Sequence, residues 1–165
     1  MKCILFFLIA SLFVACSSEQ EPKTIYIVRH GEKLLSGNDP ELSVAGNARA
    51  VKLSQILADK EIKHIYSTDY KRSRLTATLT ASEAGIDIET YDPKNHDALV
   101  DLLRKLEGNA LVVGHSNTVG EVANYFLGEG DKYQDLEENE YNFIYIITLD
   151  KDGNSALVRK TYKDY

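Results

Sequence analysis

The sequence predicts an α/β fold, a three-layer α/β/α sandwich built on a mixed but mostly parallel sheet. Short apolar segments rich in β-branched residues alternate with longer segments of helical periodicity, which is typical of parallel strands covered by helices. The expected strands are residues 24–28, 64–66, 86–89 and 110–113, and the expected helices are 44–59, 70–84, 95–107 and 117–127. Two further strands, at 141–149 and 156–162, flank Asp152 and Gly153, a hairpin turn signal that makes the sheet mixed.

Local signals support the boundaries of these elements. Ser43 immediately precedes the first helical segment and is a favourable N-cap. Gly85 follows the second helical segment, where a glycine commonly ends a helix. The segment 24–28 is apolar on both faces, so it is expected to be a fully buried strand. The alternating segment 86–89 is expected at an edge of the sheet.

The N-terminal residues predict a secretory leader followed by a lipid anchor. Residues 3–14 form an apolar run that is shorter than the roughly 18 residues expected of a membrane-spanning helix. Phe-Val-Ala-Cys at 13–16 resembles a lipobox, although leucine is commonest where Phe13 stands. We therefore expect a lipoprotein signal peptide at 1–15, a tether at 16–23 lipidated on Cys16, and one domain at 24–165. An ordinary cleaved signal peptide and an uncleaved anchor are the alternatives.

Cysteine use and charge limit the compartment and the partners. The only cysteines, Cys3 and Cys16, lie in or beside the leader, so the domain has no internal disulfide and an oxidising compartment is not contradicted. We expect a location in the bacterial cell envelope, on the periplasmic or surface side, with the lipid as the only membrane contact. The formal charge of -6 argues against nucleic acid as a partner. It also means that an anionic ligand needs a local concentration of Arg and His.

Two of the buried strand segments end in a histidine with a glycine beside it. Arg-His-Gly-Glu at 29–32 follows the first strand, and Gly-His-Ser at 114–116 follows the strand 110–113. Ligands of open α/β sheets bind at the carboxyl ends of parallel strands, so His30 and His115 are expected at one edge. If their strands are neighbours, about 4.8 Å apart, both rings can face one ligand.

The residue types around these histidines favour phosphoryl transfer. A neutral imidazole nitrogen can attack phosphorus, and the phosphohistidine that results is reactive enough to be hydrolysed. The oxygens of the transferred group require planar, permanently charged donors. Arg29 is adjacent to His30, and Arg72 lies at the start of a helix that follows another strand. Helix N-termini also favour anions.

At four places the chain resembles the histidine phosphatase superfamily, which includes the cofactor-dependent phosphoglycerate mutases. Residues 29–31 match the Arg-His-Gly motif, and residues 42–50 look like Leu-Thr-x-x-Gly-x-x-Gln-Ala. Residues 66–77 look like Ser-Ser-Pro-Leu-x-Arg-Ala-x-x-Thr-Ala, with Asp69 in place of the proline and Ser73 in place of the alanine after the arginine. Residues 114–116 match the second histidine motif. The resemblance implies a short lipoprotein member of the phosphoglycerate mutase-like branch.

The resemblance also implies roles for individual residues. His30 is implied as the nucleophile, and Arg29, Arg72 and His115 as the residues that surround the phosphate. Ser67 and Asn117 are further candidates for phosphate binding. Asp69 adds a negative charge near the entrance that could disfavour polyanionic substrates.

The proton donor to the leaving group is not identified by the sequence. Relatives acting on alkyl phosphates carry a Glu or Asp in an inserted region, and the corresponding interval here, 82–109, is short. The candidate general acids are Asp92, His96, Glu32 and Glu121, among which spacing does not choose. The alternative role for Glu32 is to orient a neighbouring arginine. The acidic stretch at 137–140 is interpreted as a solvated loop.

The sequence therefore predicts a phosphatase that hydrolyses a phosphomonoester or a phosphohistidine through a phosphohistidine intermediate on His30. The expected partner is a phosphorylated small molecule or a phosphoprotein. The alternatives are a phosphotransferase or mutase, and a catalytically weak lipoprotein that binds a phosphorylated ligand. No cofactor is expected, and no His or carboxylate cluster has the spacing of a metal site.

Overall fold

Six strands form one mixed sheet in the computed structural model, which describes residues 20–165. The strands are β1 (Lys23–Arg29), β2 (Ile62–Ser67), β3 (Ile88–Thr90), β4 (Asn109–Gly114), β5 (Phe143–Leu149) and β6 (Ser155–Thr161). Their order across the sheet is β3-β2-β4-β1-β5-β6. The first four are mutually parallel, and the hairpin of β5 and β6 is antiparallel. The predicted sheet is confirmed, with β3 and β6 at its edges.

Helices cover both faces of the sheet. They are α1 (Val44–Leu57), α2 (Lys71–Ala84), α3 (His96–Lys105) and α4 (Val119–Asn124), and a single 3₁₀ turn follows β6 at Tyr162–Asp164. Successive residues of β1 point to opposite faces of the sheet, and each face carries an apolar core. Ile25 and Ile27 pack with α3 and α4, whereas Tyr26 and Val28 pack with α1 and α2. A strand buried on both faces explains the uninterrupted apolar run of β1. The three-layer prediction is confirmed.

The helix boundaries follow the local signals closely, with one exception. The Ser43 hydroxyl accepts a hydrogen bond from the Gly46 amide at 3.2 Å and caps α1, and Gly85 ends α2 in the left-handed conformation with φ of 68°. The exception is α4, which is shorter than the predicted 117–127. Amide groups after Asn124 bond to carbonyls three residues earlier, so the helix tightens into turns at its end.

The register of the sheet places the ends of β1 and β4 side by side. Arg29 pairs with Gly114, and the His30 amide donates to the Gly114 carbonyl at 2.9 Å. The prediction that the two histidine-bearing strands are neighbours is confirmed. Because β5 is antiparallel to β1, the residues just before Phe143 reach the same edge.

The other end of β1 is fixed by a buried lysine. The Lys23 ammonium is 3% exposed and donates to the carbonyls of Arg104, at 2.7 Å, and Leu106, so it caps the C-terminus of α3. Burial lowers the pKa of Lys23. No helix within residues 20–165 is long and apolar enough to cross a membrane. The predicted leader and Cys16 lie outside the described residues.

Candidate active site

His30 and His115 face each other at the carboxyl edge of the sheet. Their ring centroids are 5.4 Å apart and the planes are inclined at 69°. His30 is 4% exposed, and Tyr70 covers His115 edge-on with 5.1 Å between ring centroids. The two imidazoles that the sequence placed on separate strands therefore line a single site.

The hydrogen bonds of His30 define which nitrogen carries its proton. Nδ1 lies 2.7 Å from the Gly31 carbonyl oxygen, which can only accept, so Nδ1 is the donor. Nε2 lies 3.1 Å from Nε of Arg72, and a guanidinium can only donate, so Nε2 is the acceptor. This pattern corresponds to the neutral tautomer with a lone pair on Nε2. That lone pair is the one a nucleophilic histidine uses.

Both histidines are held neutral by their surroundings. Burial lowers the pKa of His30 to about 3, and the positive charges of Arg72, His115 and Arg29 act in the same direction. Burial also lowers the pKa of His115 to about 4, again with help from Arg72 and Arg29. The two rings are therefore uncharged near neutral pH, when no anion is bound between them.

Arg29 is fixed by the loop that precedes β5. The side chain is 3% exposed, and its Nη1 donates to the carbonyls of Glu137 at 2.7 Å, Glu140 at 3.2 Å and Glu138 at 3.3 Å. The Tyr141 ring packs against the guanidinium, with Cζ 4.0 Å from the ring centroid. Residues 137–140 form the solvent-exposed loop that the sequence predicts, and in addition their backbone carbonyls hold an arginine of the site.

Arg72 approaches His30 from the first turn of α2. Its side chain is 15% exposed, its Cζ lies 4.4 Å from the centroid of the Tyr70 ring, and Nη1 is 3.7 Å from Oδ1 of Asp39. The Thr76 hydroxyl connects α2 to the loop after β1, since it donates to the Arg72 carbonyl and accepts from the Gly31 amide. The Thr76 hydroxyl thus links the backbone of Arg72 to that of Gly31, the residue after His30.

Two glycines allow α1 to approach this loop. A Cβ added at Gly46 would collide with the carbonyl oxygen of Glu32, and one added at Gly31 would lie 2.9 Å from the Gly46 oxygen. The first turn of α1 therefore packs backbone to backbone against the segment after His30. This contact gives a physical reason for the glycine in the segment 42–50.

Two buried nitrogen atoms of the site have no hydrogen-bond partner within residues 20–165. They are Nε of Arg29 and Nε2 of His115. Buried polar atoms are normally satisfied, so orphaned ones beside a neutral histidine indicate a place for a ligand. An anion with several oxygens matches them, because Arg29 and Arg72 supply positive charge. These residues fit a phosphate group.

Ser67 and Asn117, the weaker candidates for phosphate binding, are not joined to this cluster. Ser67 is fully buried and its hydroxyl donates to the Thr68 carbonyl at 2.9 Å, so the hydroxyl proton is not available to a phosphate oxygen. Asn117 is exposed in the turn after His115. Neither side chain makes a hydrogen bond to the histidines or arginines of the site in the described part of the chain.

The four candidate acids are also engaged elsewhere. The Glu32 carboxylate accepts from Nε of Arg49 at 2.8 Å and from Nη2, and these bonds lower the pKa of Glu32. His96 and Glu121 face each other, with 3.4 Å between Nδ1 and Oε2. Asp92 is exposed and accepts from the Lys94 amide at 2.9 Å, which forms a local turn. Within residues 20–165, none of the four hydrogen-bonds to His30 or His115.

Tyr141, Asp39 and the 137–140 backbone are site components that the sequence reasoning missed. The position of Tyr141 just before an antiparallel neighbour of β1 was a usable signal, because such a residue must reach the edge where β1 ends. Asp39 had no comparable signal. Among residues 20–165, no three His, Cys, Asp or Glu side chains are grouped as they would be around a metal ion.

Comparison with known proteins agrees with the geometry. The family model "Histidine phosphatase superfamily (branch 1)" matches residues 25–93, which contain Arg29, His30 and Arg72. A curated relative, "Probable phosphoglycerate mutase GpmB" of Escherichia coli O139:H28, is 26% identical over 125 residues. In sequence, the chain is thus similar to members of the histidine phosphatase superfamily over part of its length. The match takes in 69% of this chain and only 58% of that relative, so the chain spans well under two thirds of the protein it resembles.

Solved structures of histidine phosphatases share the fold of this chain. The protein histidine phosphatase SixA in complex with tungstate has a TM-score of 0.66 at 18% identity, covering 86% of this chain and 98% of SixA. A putative alpha-ribazole-5'-P phosphatase from Escherichia coli K-12 has a TM-score of 0.67 at 13% identity, covering 84% and 96%. The alignments cover nearly all of both solved chains, so this chain shares their overall fold.

Proposed function

We propose that this protein is a phosphatase that hydrolyses a phosphomonoester or a phosphohistidine through phosphorylation of His30 on Nε2. The observation that supports it most directly is the state of His30, which is neutral, buried and oriented by the Gly31 carbonyl so that its lone pair faces Arg72. Nε of Arg29 and Nε2 of His115, which lack hydrogen-bond partners within residues 20–165, offer further polar groups to a ligand.

The first step is attack by Nε2 of His30 on phosphorus. A nitrogen–phosphorus bond forms while the bond to the leaving group breaks, and the electron pair departs with that group. For this to happen, the Nε–H of Arg72 must move from His30 to a phosphate oxygen. Arg29, Arg72 and His115 then stabilise the negative charge of the transferring group.

The second step is hydrolysis of phospho-His30. Water attacks phosphorus, the nitrogen–phosphorus bond breaks, and its electron pair returns to Nε2 of His30. The proton lost by the water passes to solvent or to the phosphate released. The nucleophile is thereby restored in its starting tautomer, with Nδ1 still donating to Gly31.

The contacts of the candidate acids indicate which kind of leaving group the site can accept. Because none of Glu32, Asp92, His96 and Glu121 hydrogen-bonds to His30 or His115 within residues 20–165, we propose substrates whose leaving group departs without a proton from a carboxylic acid of the enzyme. Phosphohistidine, with a nitrogen leaving group, is one such substrate, and an aryl phosphate is another. The shared fold of SixA, described as a protein histidine phosphatase, is compatible with this choice.

The test is turnover of phenyl phosphate and of a phosphohistidine peptide by the full chain in detergent, compared with a His30→Ala variant. His64→Ala is the matched control, since His64 bonds to the Glu107 carbonyl and does not contact the site. Loss of activity only in His30→Ala, together with trapping of a ³²P-labelled phosphohistidine, is expected. Activity that survives His30→Ala would refute the nucleophile.

Two other functions are separated by the same assays. The curated relative named as a probable mutase suggests phosphotransfer, which would pass label to an added alcohol and not to water. The lack of a general acid positioned at the histidines suggests a phosphate-binding lipoprotein. Such a protein would bind phosphate without forming the labelled intermediate. Release of labelled phosphate into water favours the hydrolase.

We propose further that the domain is attached to a membrane of the bacterial envelope by a lipid on Cys16. The support is the apolar run at 3–14 followed by the Phe-Val-Ala-Cys segment at 13–16. Metabolic labelling with tritiated palmitate should mark the wild-type chain and spare Cys16→Ser. Equal labelling of both chains would refute this anchor.

A further inference from the structure

The loop before α1 places one carboxylate next to the candidate phosphate site. Asp39 lies 3.7 Å from Nη1 of Arg72, measured from Oδ1. The same carboxylate accepts from the backbone amide of Lys71, the first residue of α2, with Oδ1 at 3.2 Å and Oδ2 at 3.3 Å. The side chain of Asp39 is 40% exposed, so it lies at the boundary between the site and solvent.

These contacts involve the two groups that a second anionic group of a ligand would need. A phosphate at His30 can bind Arg72 through its remaining nitrogens, Nε and Nη2, while Nη1 stays with Asp39. A carboxylate or second phosphate attached to that ligand would seek Nη1 and the Lys71 amide, the positively polarised end of a 14-residue helix. The Lys71 amide already donates to Asp39, and Nη1 of Arg72 forms an ion pair with the same carboxylate.

Asp39 also carries charge of the wrong sign for such a group. On the other side of the site, Glu138 lies 3.6 Å from Nη2 of Arg29, but it is 87% exposed. Each arginine of the site is therefore paired with one carboxylate, while both histidines are neutral. The charges of the two arginines are thus balanced by those of the two carboxylates, which leaves little positive charge for a second anionic group.

We propose that Asp39 is a specificity-determining residue, which makes the site prefer phosphate groups whose remainder is neutral or cationic over those with a second anionic group nearby. This rests on the proposed function, because it assumes that phosphate binds between His30 and Arg72. Asp39 acts on the ligand through its charge and through its hydrogen bond from the Lys71 amide. It forms no bond to the reacting phosphorus.

The experiment compares two non-hydrolysable ligands of similar shape. Phosphonoacetate carries a carboxylate next to its phosphonate, and phosphonoacetamide carries a neutral amide in the same position. Dissociation constants are measured for the full chain in detergent by NMR titration of the histidine side-chain resonances, which reports weak binding. The measured quantity is the ratio of the two constants.

Asp39→Asn is the informative variant because it removes the charge and keeps an oxygen that can accept from Lys71. We expect the ratio of the dissociation constant of phosphonoacetate to that of phosphonoacetamide to fall by about tenfold. This factor corresponds to the interaction between unit charges roughly 6 Å apart at an effective dielectric constant of about 40. Asp39→Glu keeps the negative charge and should therefore keep the wild-type ratio. A purely structural role of Asp39 would not explain this result.

Glu41→Gln is the matched control. Glu41 belongs to the same loop and pairs with a lysine on the same helix, 3.6 Å from Nζ of Lys71, but it does not contact Arg72. Its removal should change the ratio by less than about twofold, since both partners are 59% exposed and the pair is screened by solvent.

The outcomes separate this inference from the function on which it rests. If phosphonoacetamide does not bind to the wild-type chain, the phosphate site itself is refuted, and the role of Asp39 with it. If it binds and Asp39→Asn leaves the ratio unchanged, or changes it no more than Glu41→Gln does, the site stands and the role of Asp39 is refuted.

Discussion

Nε of Arg72 donates a hydrogen bond to Nε2 of His30 across 3.1 Å. The arginine thus occupies the lone pair that the proposed reaction requires, and a phosphate oxygen must take over this bond before attack. The same contact places the guanidinium within reach of the transferring group from the start of the reaction.

Replacing Arg72 with alanine should lower kcat/KM for phenyl phosphate by about 10²- to 10³-fold, the range seen when one donor to a developing charge is lost. Arg72→Lys should recover little of this, because a lysine cannot reproduce the planar set of donors. Arg74→Ala is the control, since Arg74 lies on the same helix and bonds to Thr90. Equal losses in the Arg72 and Arg74 variants would contradict the assignment.

The neutral state of His30 should be visible as acid sensitivity of the fold. Burial lowers the pKa of His30 to about 3, whereas an unfolded histidine titrates near 6.5. Its contribution to stability is therefore fully present above pH about 6.5 and is lost as the pH falls toward about 3, since only the unfolded chain binds the proton in that window.

Urea unfolding at pH 7 and pH 4.5 measures this linkage. Between these pH values the wild-type chain should lose roughly 2 kcal/mol more of its free energy of unfolding than His30→Asn, which has no imidazole to titrate. The same loss in both chains would show that His30 keeps an ordinary pKa when the protein is folded.

Tyr141 should contribute through its ring more than through its hydroxyl. The ring centroid lies 4.0 Å from Cζ of Arg29, while the hydroxyl lies 3.5 Å from Nη2, at the limit of a hydrogen bond. Tyr141→Leu should lower kcat/KM for phenyl phosphate by about tenfold, as expected for a desolvated cation–π contact. Tyr141→Phe should stay within about threefold. A Phe variant as impaired as the Leu variant would assign the effect to the hydroxyl.

Glu32 should prove to be a structural residue. Because its carboxylate accepts two hydrogen bonds from Arg49, Glu32→Gln should lower the free energy of unfolding by about 1 to 2 kcal/mol and leave turnover of phenyl phosphate within about threefold of the wild type. Glu41→Gln, with an exposed carboxylate, is the stability control. If turnover instead fell by about two orders of magnitude at unchanged stability, as expected for a lost general acid, Glu32 would be the proton donor.

Much of the fold followed from signals that act over a few residues. The apolar runs of β1 and β4, the Ser43 cap and the Gly85 terminus are all set locally, and the structure contains each of them. The meeting of His30 and His115 followed from one further rule, that neighbouring parallel strands present their carboxyl ends at one edge. These features required no knowledge of contacts distant in sequence.

The surroundings of the arginines could not be predicted in this way. Nη1 of Arg29 is held by backbone carbonyls more than 100 residues later, and a carbonyl is present at every position whatever the side chain. Asp39 reaches α2 from a loop 32 residues before it. The sequence shows that the Ser67 hydroxyl exists, but only the fold shows that its proton is donated to Thr68.

The direction of β1 has a consequence for where substrate must come from. The strand starts at Lys23, seven residues after the proposed lipid attachment at Cys16, and it delivers His30 at its other end. Seven residues of strand span about 23 Å, so His30 lies at the end of β1 opposite to the one that the proposed tether would join. If Cys16 carries the proposed lipid, the candidate site would open away from the point of attachment, where phosphorylated molecules of the surrounding fluid would have access to it.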